Sequence, residues 1–178
     1  MAGMLVALPG TPARILPGLA SVAQRKSLTP AVWLDLADGL RSWAEANRTD
    51  LLIDTGPLPD AGHPAGLHAL ADLVCLVTRP DLVGVSSARN WADELAAALP
   101  DPSRLRLLVV GAHRAYTASQ VADYLRLPLL ADLGSDPAAA AHFSGGEPLP
   151  RRHRGPLTRA LPAAAAALLA LAPEAVDV

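Results

Sequence analysis

Asp50-Leu-Leu-Ile-Asp54-Thr55-Gly56-Pro57 is a hydrophobic run that ends in a carboxylate and a turn. The pattern predicts a buried strand whose last residue stands at the carboxyl end of a sheet, where open α/β folds place their ligand crevice. An aspartate at that point can hold a magnesium ion, directly or through water, and the ion then bridges phosphates. It can equally do no more than cap the turn. The motif alone weighs these two readings evenly.

Four further apolar runs lie to either side: Met4–Leu8, Leu73–Thr78, Leu105–Val110 and Leu129–Leu133. Most are nearly continuous in Leu, Val and Ile, which predicts strands buried on both faces, as in a parallel sheet covered by helices. Helical patterns separate them. Thr29-Pro30 is an N-cap followed by proline at the first helical position, and Trp33, Leu36, Ala37, Leu40, Trp43 and Ala44 then fall on one face. A second helix is expected from near Asp81 to before Pro100, packing through Val85, Ala88, Trp91, Ala92, Leu95 and Leu99. Thr117-Ala-Ser-Gln120 has capping-box spacing, and Asp136-Pro137 opens another helix that should stop near Gly145-Gly146. Strands alternating with helices imply right-handed βαβ crossovers and an open α/β sheet. Residues 9–28 show no clear pattern. Residues 144–156, rich in Gly, Pro and Arg, read as a linker to an apolar helix around Leu157–Leu171 that Pro162 interrupts.

The 178 residues suffice for one domain with a core. Hydrophobic residues make up 51%, much of it alanine and leucine, and the mean hydropathy is +0.27. No apolar run reaches the roughly 18–20 residues that span a bilayer, and no signal peptide is evident at the start. Cys75, the single cysteine, excludes an internal disulfide framework. A cytoplasmic protein is the expectation. The net charge of -2 exerts no global pull on nucleic acid or an anionic membrane. Lys26 is the only lysine.

In order along the chain, Leu51–Pro57 resembles the Walker B region of MinD/ParA-like ATPases. Leu70-Ala-Asp-Leu-Val-Cys-Leu-Val-Thr-Arg-Pro-Asp81 is similar to that family's strand ending in a Val-Thr-x-Pro turn before a long helix. Val121-Ala-Asp-Tyr-Leu-Arg-Leu-Pro-Leu-Leu-Ala-Asp-Leu-Gly-Ser-Asp136 resembles its late helix, Leu-x-x-Pro turn and last strand, and Ala140, Ala141 and Gly146 extend the similarity. The resemblance covers roughly residues 45–150. It implies an α/β fold with a mostly parallel sheet flanked by helices, P-loop NTPase-like and of the SIMIBI type. It implies ATP and Mg2+ as cofactors, with Asp54 helping to hold the metal and Thr55 and Gly56 shaping the turn. Thr78, Pro80 and Asp81, at the neighbouring strand end, would line the nucleotide pocket. It also implies a homodimer or a protein partner, and a role in partitioning or positioning. Residues 1–150 would form the ATPase domain, and 151–178 a basic linker and C-terminal helix.

Three departures bear on activity. The family's Lys-Gly-Gly-x-Gly-Lys-Thr-type loop has no counterpart here; around Lys26-Ser27 the glycines that let backbone amides close on phosphate are missing. The aspartate-bearing switch after the family's second strand is absent too. Gly111 stands where the family usually has an asparagine near the adenine. No catalytic residue is therefore assigned. The family's P-loop strand lies mid-sheet beside the Walker B strand, so its absence is expected to leave unpaired edges. Either the natural chain starts further upstream, or the short chain closes its sheet in another way or with a partner. The rival function is a non-catalytic module that binds another protein.

Other chemistries find little support. No histidine pair has i,i+4 spacing, which disfavours zinc, and neither a Gly-x-Ser-x-Gly elbow nor a Gly-x-Gly-x-x-Gly fingerprint occurs. Arg151-Arg152-His153-Arg154 could favour DNA or a membrane surface, but the following helix is apolar nearly all round, so a solvated cluster before a packing helix is expected.

Overall fold

The computed structural model describes residues 5–18, 21, 24, 28–58, 65–111 and 115–171. The chain forms two compact units, Met1–Leu70 and Ala71–Val178.

In the first unit, β1 (Val6–Ala7) pairs antiparallel with β2 (Arg14–Ile15). The expected strand Met4–Leu8 is thus corrected: its described part belongs to a small hairpin, not to a parallel sheet. Gly10 makes the reversal with φ 77°, and the Leu8 amide donates to the Ala13 carbonyl across the turn. Val6 and Ile15 are both exposed, so this hairpin has little core of its own. Helix α1 (Pro30–Asn47) starts at Thr29, whose hydroxyl accepts from the Val32 amide. Ala37 and Leu40 are buried on the stripe read from the sequence. α2 (Ala65–Leu70) packs on α1, where Gly66 allows the approach: a Cβ there would lie 2.9 Å from Leu34 Cδ2. The Arg41 guanidinium donates to the Leu70 carbonyl.

Leu51–Asp54 requires a second correction. The segment joins no ladder among the described residues, and Leu52 is 89% exposed. A strand exists only through its hydrogen-bonded neighbours, and no described segment supplies one.

The second unit is built on a three-stranded parallel sheet in the order β3 (Val74–Thr78), β4 (Leu105–Val110), β5 (Leu129–Leu133). The crossovers are α3 (Leu82–Ala98) between β3 and β4, and α4 (Ala118–Leu125) between β4 and β5. β4 is central, and Leu105, Leu107 and Val109 on one of its faces are completely buried. α3 covers that face at β3 through Val85, Ala88, Ala92 and Leu95. Val121 and Leu125 of α4 are likewise buried. α5 (Pro137–Gly145) ends at Gly146, whose φ of 70° stops the helix. α6 (Pro156–Leu169) runs on through Pro162 and packs along β5. Among the described residues no helix is long and apolar enough to cross a membrane. This is the expected α/β architecture, a parallel sheet flanked by helices.

Candidate functional site

In the second unit the carboxyl ends of β3, β4 and β5 meet three loops. After β3, Thr78 is buried, Pro80 is fully buried, and Asp81 caps α3. Asp81 Oδ1 accepts from the Gly84 amide at 2.8 Å, and its other oxygen lies 3.6 Å from Arg79 Nε. The first turn of α3 presses onto the β3–α3 turn so closely that a Cβ on Gly84 would lie 2.6 Å from the Arg79 carbonyl oxygen. Backbone cannot yield as a side chain can. Gly84→Ala is therefore expected to lower stability by about 1–3 kcal/mol in chemical denaturation. After β4, Gly111 takes φ 94° and its amide donates to the Leu133 carbonyl at 2.8 Å. The Tyr116 amide donates to the Pro80 carbonyl, tying this loop to the turn after β3. Thr117 and Gln120 then form the reciprocal capping box.

After β5 stands a residue that the sequence marks only as a helix start. Asp136, its side chain 4% exposed, accepts from the Ala139 amide at 3.1 Å. His153 Nε2 lies 3.0 and 2.9 Å from its two oxygens. Gly155 leaves room for the carboxylate, since a Cβ there would lie 1.8 Å from Oδ2. Arg151, Arg152 and Arg154 are exposed, so the basic cluster divides into three solvated arginines and one anchored histidine. The hydrogen bond to His153 holds the Asp136 carboxyl below the usual aspartate range, with the Ala139 amide adding to the effect. A lowered folded value means the contribution to stability is present above the ordinary aspartate pKa and fades as pH falls through the folded one. Thermal melts should therefore show an acid loss below about pH 4 that is shallower in Asp136→Asn.

Asp54, Thr55 and Gly56 lie in the first unit; Thr78, Pro80 and Asp81 lie in the second. Asp54 is exposed, and its Oδ1 accepts from the Gly56 amide at 2.8 Å, with Gly56 at φ 81°. The turn drawn from the sequence is present, and the structural role open to Asp54 is realised. Lys26 lies outside the described residues.

Among the described residues, the side chains at the carboxyl edge of the second unit do not fit a magnesium nucleotide. A phosphate is held by helix N-termini and open amides. Here α3, α4 and α5 each have one first-turn amide taken by an acceptor from their own chain, Asp81, Thr117 and Asp136, and the other first-turn amides are not closed by these caps. Two of these are carboxylates, whose charge opposes a phosphate at the same place. Among the described residues no group of three or more His, Cys, Asp or Glu could hold a metal ion.

No family model matches the chain. Its fold is that of known MinD and ParA proteins. The cell division ATPase MinD of Pyrococcus furiosus superposes with a TM-score of 0.74 over 96% of this chain and 71% of its own, at 17% identity. A ParA family ATPase of Chlorobium tepidum TLS gives 0.70 over 94% and 67%, at 20% identity. The MinD cell division protein of Aquifex aeolicus gives 0.66 over 85% and 64%, at 15% identity, and matches again in its complex with MinC. These identities establish the MinD/ParA, P-loop NTPase-like fold and nothing finer. The chain is also 35% identical over 100 residues to one component of the aspartyl/glutamyl-tRNA(Asn/Gln) amidotransferase of Leifsonia xyli subsp. xyli, but spans 19% of that protein's length.

Proposed function

We propose that this chain is a MinD/ParA-fold module of a partitioning or positioning system that acts by binding a protein, and that its own residues do not hydrolyse ATP. The observation that carries this is the internal capping of α3, α4 and α5 at the carboxyl edge of the sheet. The sequence agrees, having no lysine-bearing glycine loop within its 178 residues. Association with a protein is supported by the Aquifex MinD neighbour, which is known in complex with MinC. Millimolar Mg-ATP is expected to leave the melting temperature unchanged and to release no phosphate. A rise of several degrees would contradict the reading, because a ligand that binds only the native state must stabilise it.

A second reading, a divergent MinD/ParA-like ATPase using Mg2+ and ATP, is favoured by the Asp54–Gly56 turn, which sets a carboxylate at the end of an extended apolar run. Asp54 would then hold magnesium, and Thr78, Pro80 and Asp81 would border the nucleotide. The intact mass of the protein from its native cell separates the two. A mass well above 18.4 kDa favours the ATPase.

A further inference from the structure

At the other end of the sheet, where β3 and β4 begin, the second unit holds a pocket of about 290 Å3. Four charged side chains line it: Asp72 before β3, Asp101 and Arg104 before β4, and Arg106 in β4. Among the described residues, neither aspartate forms an ion pair with either arginine. The arginines are fastened to backbone instead. Arg104 Nη1 donates to the Ala71 carbonyl at 3.3 Å, and Arg106 Nη1 donates to the Leu105 carbonyl at 3.0 Å and to the Ser103 carbonyl. Each guanidinium is thus held by one nitrogen, and its Nε and Nη2 have no acceptor among the described residues. Asp101 Oδ1 accepts from the Ser103 amide at 2.9 Å. Hydrogen bonding from Ser103 holds this carboxyl below the usual aspartate range, with the two guanidiniums adding to the effect, so it is charged at neutral pH. Its Oδ2 and the Asp72 carboxylate have no donor among the described residues.

We propose that this pocket binds a small zwitterion, an α-amino acid with an aliphatic side chain. Its carboxylate would lie on Arg104 and Arg106, and its ammonium on Asp101 and Asp72. Leu73 and Leu171, which also line the pocket, supply an apolar wall for the side chain. The charges select this class of ligand. A simple anion would satisfy the arginines but face two carboxylates, and a simple cation would meet the reverse. A molecule with both charges completes both sets, and the resulting charge-assisted hydrogen bonds are the strong kind. Size selects within the class, because ligand pockets commonly span about 300–1,000 Å3 and this one stands at the small end. The inference goes beyond the proposed function and uses none of the residues at the carboxyl edge.

Calorimetric titration of the full chain with L-leucine should give a saturable isotherm with one site per chain. L-leucinamide, which lacks the carboxylate, and 4-methylpentanoate, which lacks the ammonium, should each bind at least about tenfold more weakly. Arg104→Gln and Asp101→Asn should each weaken leucine by about tenfold or more. Asn retains an oxygen to accept from the Ser103 amide, so Asp101→Asn should keep the circular dichroism spectrum of the parent. No heat with leucine, binding of 4-methylpentanoate or inorganic phosphate as tight as that of leucine, or unchanged affinity in a folded Asp101→Asn would overturn the proposal. None of these results alters the titration with Mg-ATP, so failure of this pocket is distinguishable from failure of the proposed function.

Discussion

Leu107→Ala is expected to lower folding stability by about 2–5 kcal/mol. Leu107 lies at the middle of the central strand and has no exposed surface, and its neighbours Leu105 and Val109 are equally buried. α3 sits against β3, and α4 touches both β4 and β5. Truncation would leave a cavity that two flanking strands and two helices cannot easily close. Chemical denaturation followed by circular dichroism reads the loss directly, as a lower midpoint at an unchanged slope. A loss below about 1 kcal/mol would mean that the sheet is not packed as described.

Gly155→Ala comes next, expected to cost about 1–3 kcal/mol. Gly155 has φ -70°, so an alanine is acceptable to the backbone. The obstacle is space alone: the added Cβ would meet Asp136 Oδ2 at 1.8 Å and His153 Nε2 at 2.5 Å. The carboxylate must leave, and with it go the cap of α5 and the contact that anchors residues 150–155. Amide exchange should therefore quicken in Pro156–Leu169, the helix that follows, while the amides of β4 keep their relative protection. Unchanged exchange in that helix would show that it is held by its packing on β5 alone.

The helices are legible in the sequence because each carries its own punctuation. Thr29-Pro30, Asp81, the Thr117–Gln120 box and Asp136-Pro137 all cap where the sequence places them. The apolar stripes of α1 and α3 follow a 3.6-residue period that no tertiary context needs to supply. β3, β4 and β5 are legible for a similar reason, as continuous runs of branched residues between those helices. Leu51–Asp54 has the same composition and invites the same reading, yet strand formation also depends on a neighbour that a single run cannot reveal. β1 lies in the apolar run Met4–Leu8, but its hairpin partner Arg14–Ile15 falls in a stretch without a clear pattern, where Gly10 is the one signal of a reversal. The turn residues after β3 in the second unit, and Asp54–Gly56 in the first, do form turns. The Asp136–His153 contact is not legible, because it joins side chains 17 positions apart, one of them in a segment that reads as linker. Its trace in the sequence is Gly155 before Pro156, a helix start with no capping side chain of its own.

The central claim is that a MinD/ParA fold is present while its nucleotide chemistry is not carried by these residues. Calorimetric titration of the purified chain with Mg-ATP tests it most directly. The account predicts no binding heat up to millimolar nucleotide. A saturable isotherm with one ATP per chain, lost in Asp54→Ala, would contradict it and establish the Asp54 turn as a working nucleotide site.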